Sequence, residues 1–102
     1  MVNSPKTKVN NKTITKILVN GTVQGVFFRI KAKNLADKLN LIGFAQNLPN
    51  GQVHLEIFGL PKSVKQFINW CHQGSKYSSV TDVQITTIEN FSRPILDSFQ
   101  IF

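Results

Sequence analysis

A chain of 102 residues is long enough for one compact domain and too short for two. Hydrophobic residues make up 41% of it, which supplies a core and excludes a disordered polymer. The net charge is +7, and nucleic acid is the first partner that such a basic chain suggests. The distribution of charge argues against that partner. Lys6, Lys8 and Lys12 lie in an N-terminal segment with no acid, and the other lysines are interspersed with Asp37, Glu56, Asp82, Glu89 and Asp97. No nucleic-acid partner is therefore expected, and a moderately positive surface would instead draw an anionic substrate. No apolar run is long enough to span a bilayer, and the start, Met-Val-Asn-Ser-Pro-Lys, lacks the hydrophobic stretch of a secretory signal. Cys71 is the single cysteine, which excludes an internal disulfide and points to a reducing, cytoplasmic setting with no membrane partner.

Residues 1–12 are polar and read as a flexible basic tail ahead of a single domain over 13–102. An apolar, β-prone run with Ile14, Ile17, Leu18 and Val19 predicts a strand from Thr13 to Asn20. A helix follows from Phe28, because Phe28, Ala32, Leu35, Ala36 and Leu39 recur at helical spacing and form one core-facing stripe. Asn40 stands where that helix must end, and asparagine tolerates left-handed geometry. A second strand is expected over Gly43–Leu48, then a tight turn at Pro49-Asn50-Gly51. Val53, Leu55 and Ile57 alternate with Gln52, His54 and Glu56 in a third strand that Gly59 ends.

Pro61 suits the first turn of a second helix, whose stripe is Val64, Phe67, Ile68 and Cys71 and whose stop is Gly74. Trp70 falls off that stripe and reads as partly exposed packing. After a loop at Ser75–Ser79 come a fourth strand near Thr81–Ile88, another loop at Pro94 and a short last strand over Ser98–Phe102. The order β-α-β-β-α-β plus a short last strand predicts an α+β chain. Its fold class is the ferredoxin-like α/β sandwich, an antiparallel sheet with two helices on one face.

The connection from the first strand to the first helix reads Gly21-Thr-Val-Gln-Gly-Val-Phe-Phe-Arg29. The backbone N–H groups of a first helical turn have no partner within the helix, and its dipole favours negative charge there. Gly25 permits a positive φ and a close ligand approach, and Arg29 adds a permanently charged planar fork that suits phosphate oxygens. The spacing is neither that of a Walker loop nor that of a dinucleotide fingerprint. Alone, the segment also fits a plain strand-to-helix connection with a solvated arginine.

Residues Gly43 to Gly59 read Gly-Phe-Ala-Gln-Asn-Leu-Pro-Asn-Gly-Gln-Val-His-Leu-Glu-Ile-Phe-Gly. Together with Gly-x-Val-Gln-Gly-Val-x-Phe-Arg, this stretch closely resembles the acylphosphatase family, over about Ile14 to Phe102. The resemblance implies hydrolysis of a carboxyl-phosphate anhydride to a carboxylate and inorganic phosphate. It implies that the backbone over Gln24, Gly25, Val26, Phe27 and Phe28 wraps the phosphate, that Arg29 grips its oxygens and that Asn47 orients the attacking water. Phe28 is also a core residue in this reading, and Phe27 a shield for the loop. Gln24 can besides bridge the turn through its side chain. Inorganic phosphate is then both product and inhibitor, a monomer is expected, and no metal or cofactor is needed. Carbamoyl phosphate, acetyl phosphate and 1,3-bisphosphoglycerate all fit the family's substrate class.

The remaining chemistry-bearing residues fit that picture. His54 and His72 have no metal-ligand spacing and read as structural or solvated. Cys71 continues an apolar stripe, Ser75, Ser78 and Ser79 have no evident base partner, and the carboxylates look isolated. The alternative from a different class is a non-catalytic ferredoxin-like module that binds nucleic acid or a phosphometabolite. RNA-binding domains of that fold stack bases on aromatic residues of central strands, and here the third strand offers only Phe58. A further alternative is a relative joined to a larger protein, as in hydrogenase maturation proteins that handle carbamoyl phosphate. The end of the chain directly after the fold speaks for a free-standing domain.

Overall fold

Alternating apolar residues and β-branched neighbours suit β1 (Thr13–Thr22) to an interior place in the sheet, where it has a strand on each side. The computed structural model describes residues 13–89 and 96–102; the expected tail over residues 1–12 and the loop at Pro94 lie outside the described residues. After β1 come α1 (Phe28–Lys38), β2 (Ile42–Asn47), β3 (Val53–Phe58), α2 (Pro61–Gln73), β4 (Ser79–Glu89) and β5 (Phe99–Ile101). The five strands lie in the order β4-β1-β3-β2-β5.

The three pairings among β1–β4 are antiparallel, as expected, but β5 pairs parallel to β2, with Gly43 opposite Phe99 and Ala45 opposite Ile101. The expectation of a purely antiparallel sheet is corrected on that edge. The chain returns from β4 on the far edge and enters beside β2 in the same direction, which no periodicity within a three-residue strand encodes. β1 also runs to Thr22, beyond the expected Asn20, because a bulge between Asn20 and Gly21 lets it continue against Ser79 and Val80.

The face that carries the helices is dry. Ile17, Val19, Ala45, Val53, Leu55, Ile57 and Phe99 from the sheet pack with Phe28, Ala32 and Ala36 of α1 and Phe67 and Cys71 of α2. Each helix ends as its sequence requires. Asn40 takes φ 58°, and Leu41 N–H donates to Ala36 O at 2.9 Å, closing the last turn of α1. Gly74 takes φ 76° after α2. Trp70 is half-buried, its ring centroid 4.9 Å from that of Phe28.

On the other face, His54 and Glu56 stand opposite the core side of β3, as the alternation predicts, but polar character there does not mean exposure. Glu56 is buried, and His54 Nε2 lies 3.3 Å from Glu56 Oε2 while its ring meets Phe44 edge-on at 5.1 Å. Large neighbours on adjacent strands cover short stretches of such a face, and β-alternation alone cannot show that.

Strand direction is what builds the site. β1 and β2 are both antiparallel to β3, and β5 is parallel to β2. The carboxyl ends of β1, β2 and β5 therefore leave the sheet at one end. The connection after Thr22, the side chain of Asn47 and the terminal Phe102 all belong to that end.

Candidate functional site

Residues 23–27 carry the chain from β1 into α1. Gly25 has φ 74° and Phe27 has φ 62°, so two peptide units are turned over within three residues. A Cβ on Gly25 would meet no atom within 4 Å, so glycine serves the backbone angle there and not the space. Phe27 is the N-cap of α1 and has no side-chain cap of its own. Its left-handed angle is strained for an L-residue by about 1–2 kcal/mol, and surrounding contacts must hold it. Lys31 N–H donates to Phe27 O at 3.0 Å and begins the helix. The first turn of α1 contains no acid. Its free N–H groups and the positive end of the dipole thus remain open to an anion.

Next to this turn is a cavity of about 370 Å³, lined by Val23, Gly25, Phe27, Phe28, Arg29, Ile30 and Ile101. Arg29 is half-buried, and its Nη1 donates to Phe102 O at 2.6 Å. The end of β5 thereby fixes the direction of the guanidinium. Phe27, Ile30, Ile101 and Phe102 are exposed around it, an apolar rim beside one cation. Phe28, in contrast, is fully buried and anchors the helix start in the core.

Of the residues expected at the site, Gly25, Phe27, Phe28 and Arg29 line the cavity; Gln24, Val26 and Asn47 do not. Gln24 spends its side chain elsewhere: Nε2 donates to Leu48 O and to Gln52 O, both at 2.8 Å. The loop is thus tied to the turn that follows Asn47. That turn is itself braced, since Gln52 N–H donates to Asn50 Oδ1 at 3.0 Å and Gln52 Nε2 donates to Asn20 Oδ1 at 2.9 Å. Asn47 closes β2 opposite Val53, and its Oδ1 is buried without a hydrogen-bond partner. A buried acceptor left unpaired costs about 1–3 kcal/mol, and such atoms concentrate where a ligand or water completes the set.

Sequence reasoning missed the supports of the loop. Ser75 Oγ donates to Val26 O at 2.7 Å, and Ser78 Oγ donates to Ser75 O at 2.7 Å. The only local signal was Gly74-Ser75 after a helix stop, which says nothing of a partner 49 positions away. Cys71 is buried and desolvation pushes its thiol far above the ordinary range, so it stays protonated and inert. Among the described residues no group of three or more His, Cys, Asp or Glu is placed to hold a metal ion. None of the described helices is long and apolar enough to cross a membrane.

Comparison with known proteins supplies the family. The acylphosphatase family model matches residues 15–101. An acylphosphatase of Hahella chejuensis is 35% identical over 88 residues, 86% of this chain and 94% of that protein. One of Bacillus licheniformis is 40% identical over 87 residues, 85% of this chain and 91% of its own length. Among solved structures, an acylphosphatase from Coxiella burnetii superposes with a TM-score of 0.84 at 30% identity, covering 96% of this chain and 100% of that one. The chain belongs to the acylphosphatase family and is a hydrolase of acyl phosphates.

Proposed function

We propose that the phosphate group of the acyl phosphate is held by the backbone over Gln24–Phe28 and by the Arg29 guanidinium, and that Asn47 orients the attacking water. The observation that carries this reading is Asn47 Oδ1, buried and unpartnered at the end of the sheet where the loop also lies. A water that donates to this oxygen turns a lone pair toward phosphorus and satisfies the acceptor in the same contact. Asparagine is no base, so the water's proton passes to a phosphate oxygen of the substrate. The leaving group departs as a stable carboxylate and needs no general acid. What the protein must supply is alignment and charge stabilisation, which is what phosphoryl transfer chiefly demands. Arg29 provides the charge, and the N–H groups around Gly25 and Phe27 share the rest.

The acyl part lies against Phe27, Ile30 and Ile101 in this reading, because these exposed apolar side chains border the cavity on the side of Arg29. Phosphate, the product, competes for the same loop. The acting species is a cytoplasmic monomer, its domain spanning 13–102 behind a basic tail; the lone, buried Cys71 suits a reducing setting.

The test is a steady-state assay of benzoyl phosphate hydrolysis in EDTA. Turnover should persist, exceed that of p-nitrophenyl phosphate, and be inhibited competitively by inorganic phosphate. Full loss in EDTA, or faster cleavage of the monoester, would overturn the mechanism.

A further inference from the structure

Val26 and Phe27 share one trans peptide, so the Val26 carbonyl and the Phe27 N–H point in opposite directions. The carbonyl is fixed: Ser75 Oγ donates to Val26 O at 2.7 Å. Ser75 is itself buried, with its backbone oxygen holding both Ser78 N–H at 3.0 Å and Ser78 Oγ at 2.7 Å. Neither Ser75 nor Val26 lines the cavity, whereas Gly25, Phe27 and Arg29 do. The hydroxyl therefore holds the carbonyl toward Ser75, and the N–H of the same peptide faces the opposite way, beside residues that line the cavity. Phe27 has φ 62°, an angle its own side chain does not favour, so an outside contact is required to keep the peptide in this orientation.

We propose that Ser75 is a positioning residue for the phosphate site, holding the Val26–Phe27 peptide so that Phe27 N–H donates to the bound phosphate. The proposal rests on the assignment of the loop as that site. The hydroxyl acts twice. It sets the direction of the peptide, and by donating to the carbonyl it polarises the N–H into a stronger donor. Through this contact the C-terminal end of α2 supports a loop that precedes α1.

The test is an amide-resolved phosphate titration by NMR, with kinetics alongside. In the wild-type protein the Phe27 amide should move strongly as phosphate saturates the site, together with Gly25. Ser75→Ala should weaken phosphate binding about tenfold, the scale of one charge-assisted hydrogen bond, and suppress the Phe27 shift at saturation. Ser75→Thr, which keeps the hydroxyl, should restore both. A Phe27 amide that stays still while Gly25 responds would overturn the proposal, even if Ser75→Ala proved too unstable to study. So would a folded Ser75→Ala variant with unchanged phosphate affinity. If no amide of the loop responded in the wild type, the assignment of the phosphate site would fall first.

Discussion

The two helices of this fold begin in opposite ways. Neither has a side-chain cap or an acid in its first turn, and each carries a cation at its second residue, Arg29 in α1 and Lys62 in α2. Before α2, Leu60 is extended and Pro61 opens the helix, so that one of the free N–H groups is absent altogether. Before α1, Gly25 and Phe27 are both left-handed, and the turn keeps its donors. Supporting contacts also differ. The α1 end is held by Gln24, Ser75 and the Phe102 carbonyl, all from or onto distant parts of the chain. A helix N-terminus alone is thus an ordinary feature. In the proposed reading it becomes an anion site at α1 because loop conformation, a fixed guanidinium and outside braces meet there.

Arg29→Ala is the largest test of that contrast. Losing a preorganised charge donor should cost about 3 kcal/mol or more, at least a hundredfold in kcat/KM on benzoyl phosphate, with phosphate binding lost as well. Arg29→Lys should recover little, since a point charge cannot replace the fork that also donates to Phe102 O. Lys62→Ala at the matching position of α2 should leave both constants unchanged. Equal effects at the two positions would make the cation's net field, and not the built site, the operative feature.

Asn47→Ala should come next and differ in kind. kcat on benzoyl phosphate should fall by roughly tenfold to a hundredfold, while the dissociation constant of phosphate, measured by calorimetry, stays near the wild-type value. The fold should hold or gain slightly, because the substitution removes a buried acceptor that has no partner. Loss of phosphate binding together with a lower Tm would make Asn47 a structural turn residue instead.

The elements of the fold are legible because their signals are local. The stripe from Phe28 to Ala36, the alternation around Leu55, Pro61 and Gly74 each act within a turn or a strand, and the structure follows them. The parallel pairing of β5 and the burial of Glu56 depend on which strands become neighbours, and nothing within three residues or one strand reports that. The site divides along the same line. Gly25 and Arg29 stand out because glycine and arginine are chemically distinctive at a strand-to-helix turn. Ser75, Gln52 and Phe102 act on it across 28 to 73 positions, and their residue types alone carry no sign of it.

A smaller effect separates backbone need from function. Gly25 at φ 74° and Gly51 at φ 95° both lie in turns at the same end of the sheet, and a Cβ at either would meet no atom within 4 Å. Alanine at each should therefore lower stability by a similar amount, about 1–2 kcal/mol from left-handed strain, with no steric term. The consequences for phosphate should part. Gly51 lies in the β2–β3 turn, where its N–H is already used, donating to Leu48 O at 3.1 Å. Gly25 lines the cavity, and relief of its strain would swing the neighbouring N–H groups away from the anion. Gly25→Ala should weaken phosphate severalfold beyond its loss of stability, and Gly51→Ala should not. Thermal unfolding and a phosphate inhibition constant on the same two variants decide it. If both glycines affected the inhibition constant alike, rigidity of this whole end of the sheet, and not the conformation of the loop before α1, would set the affinity.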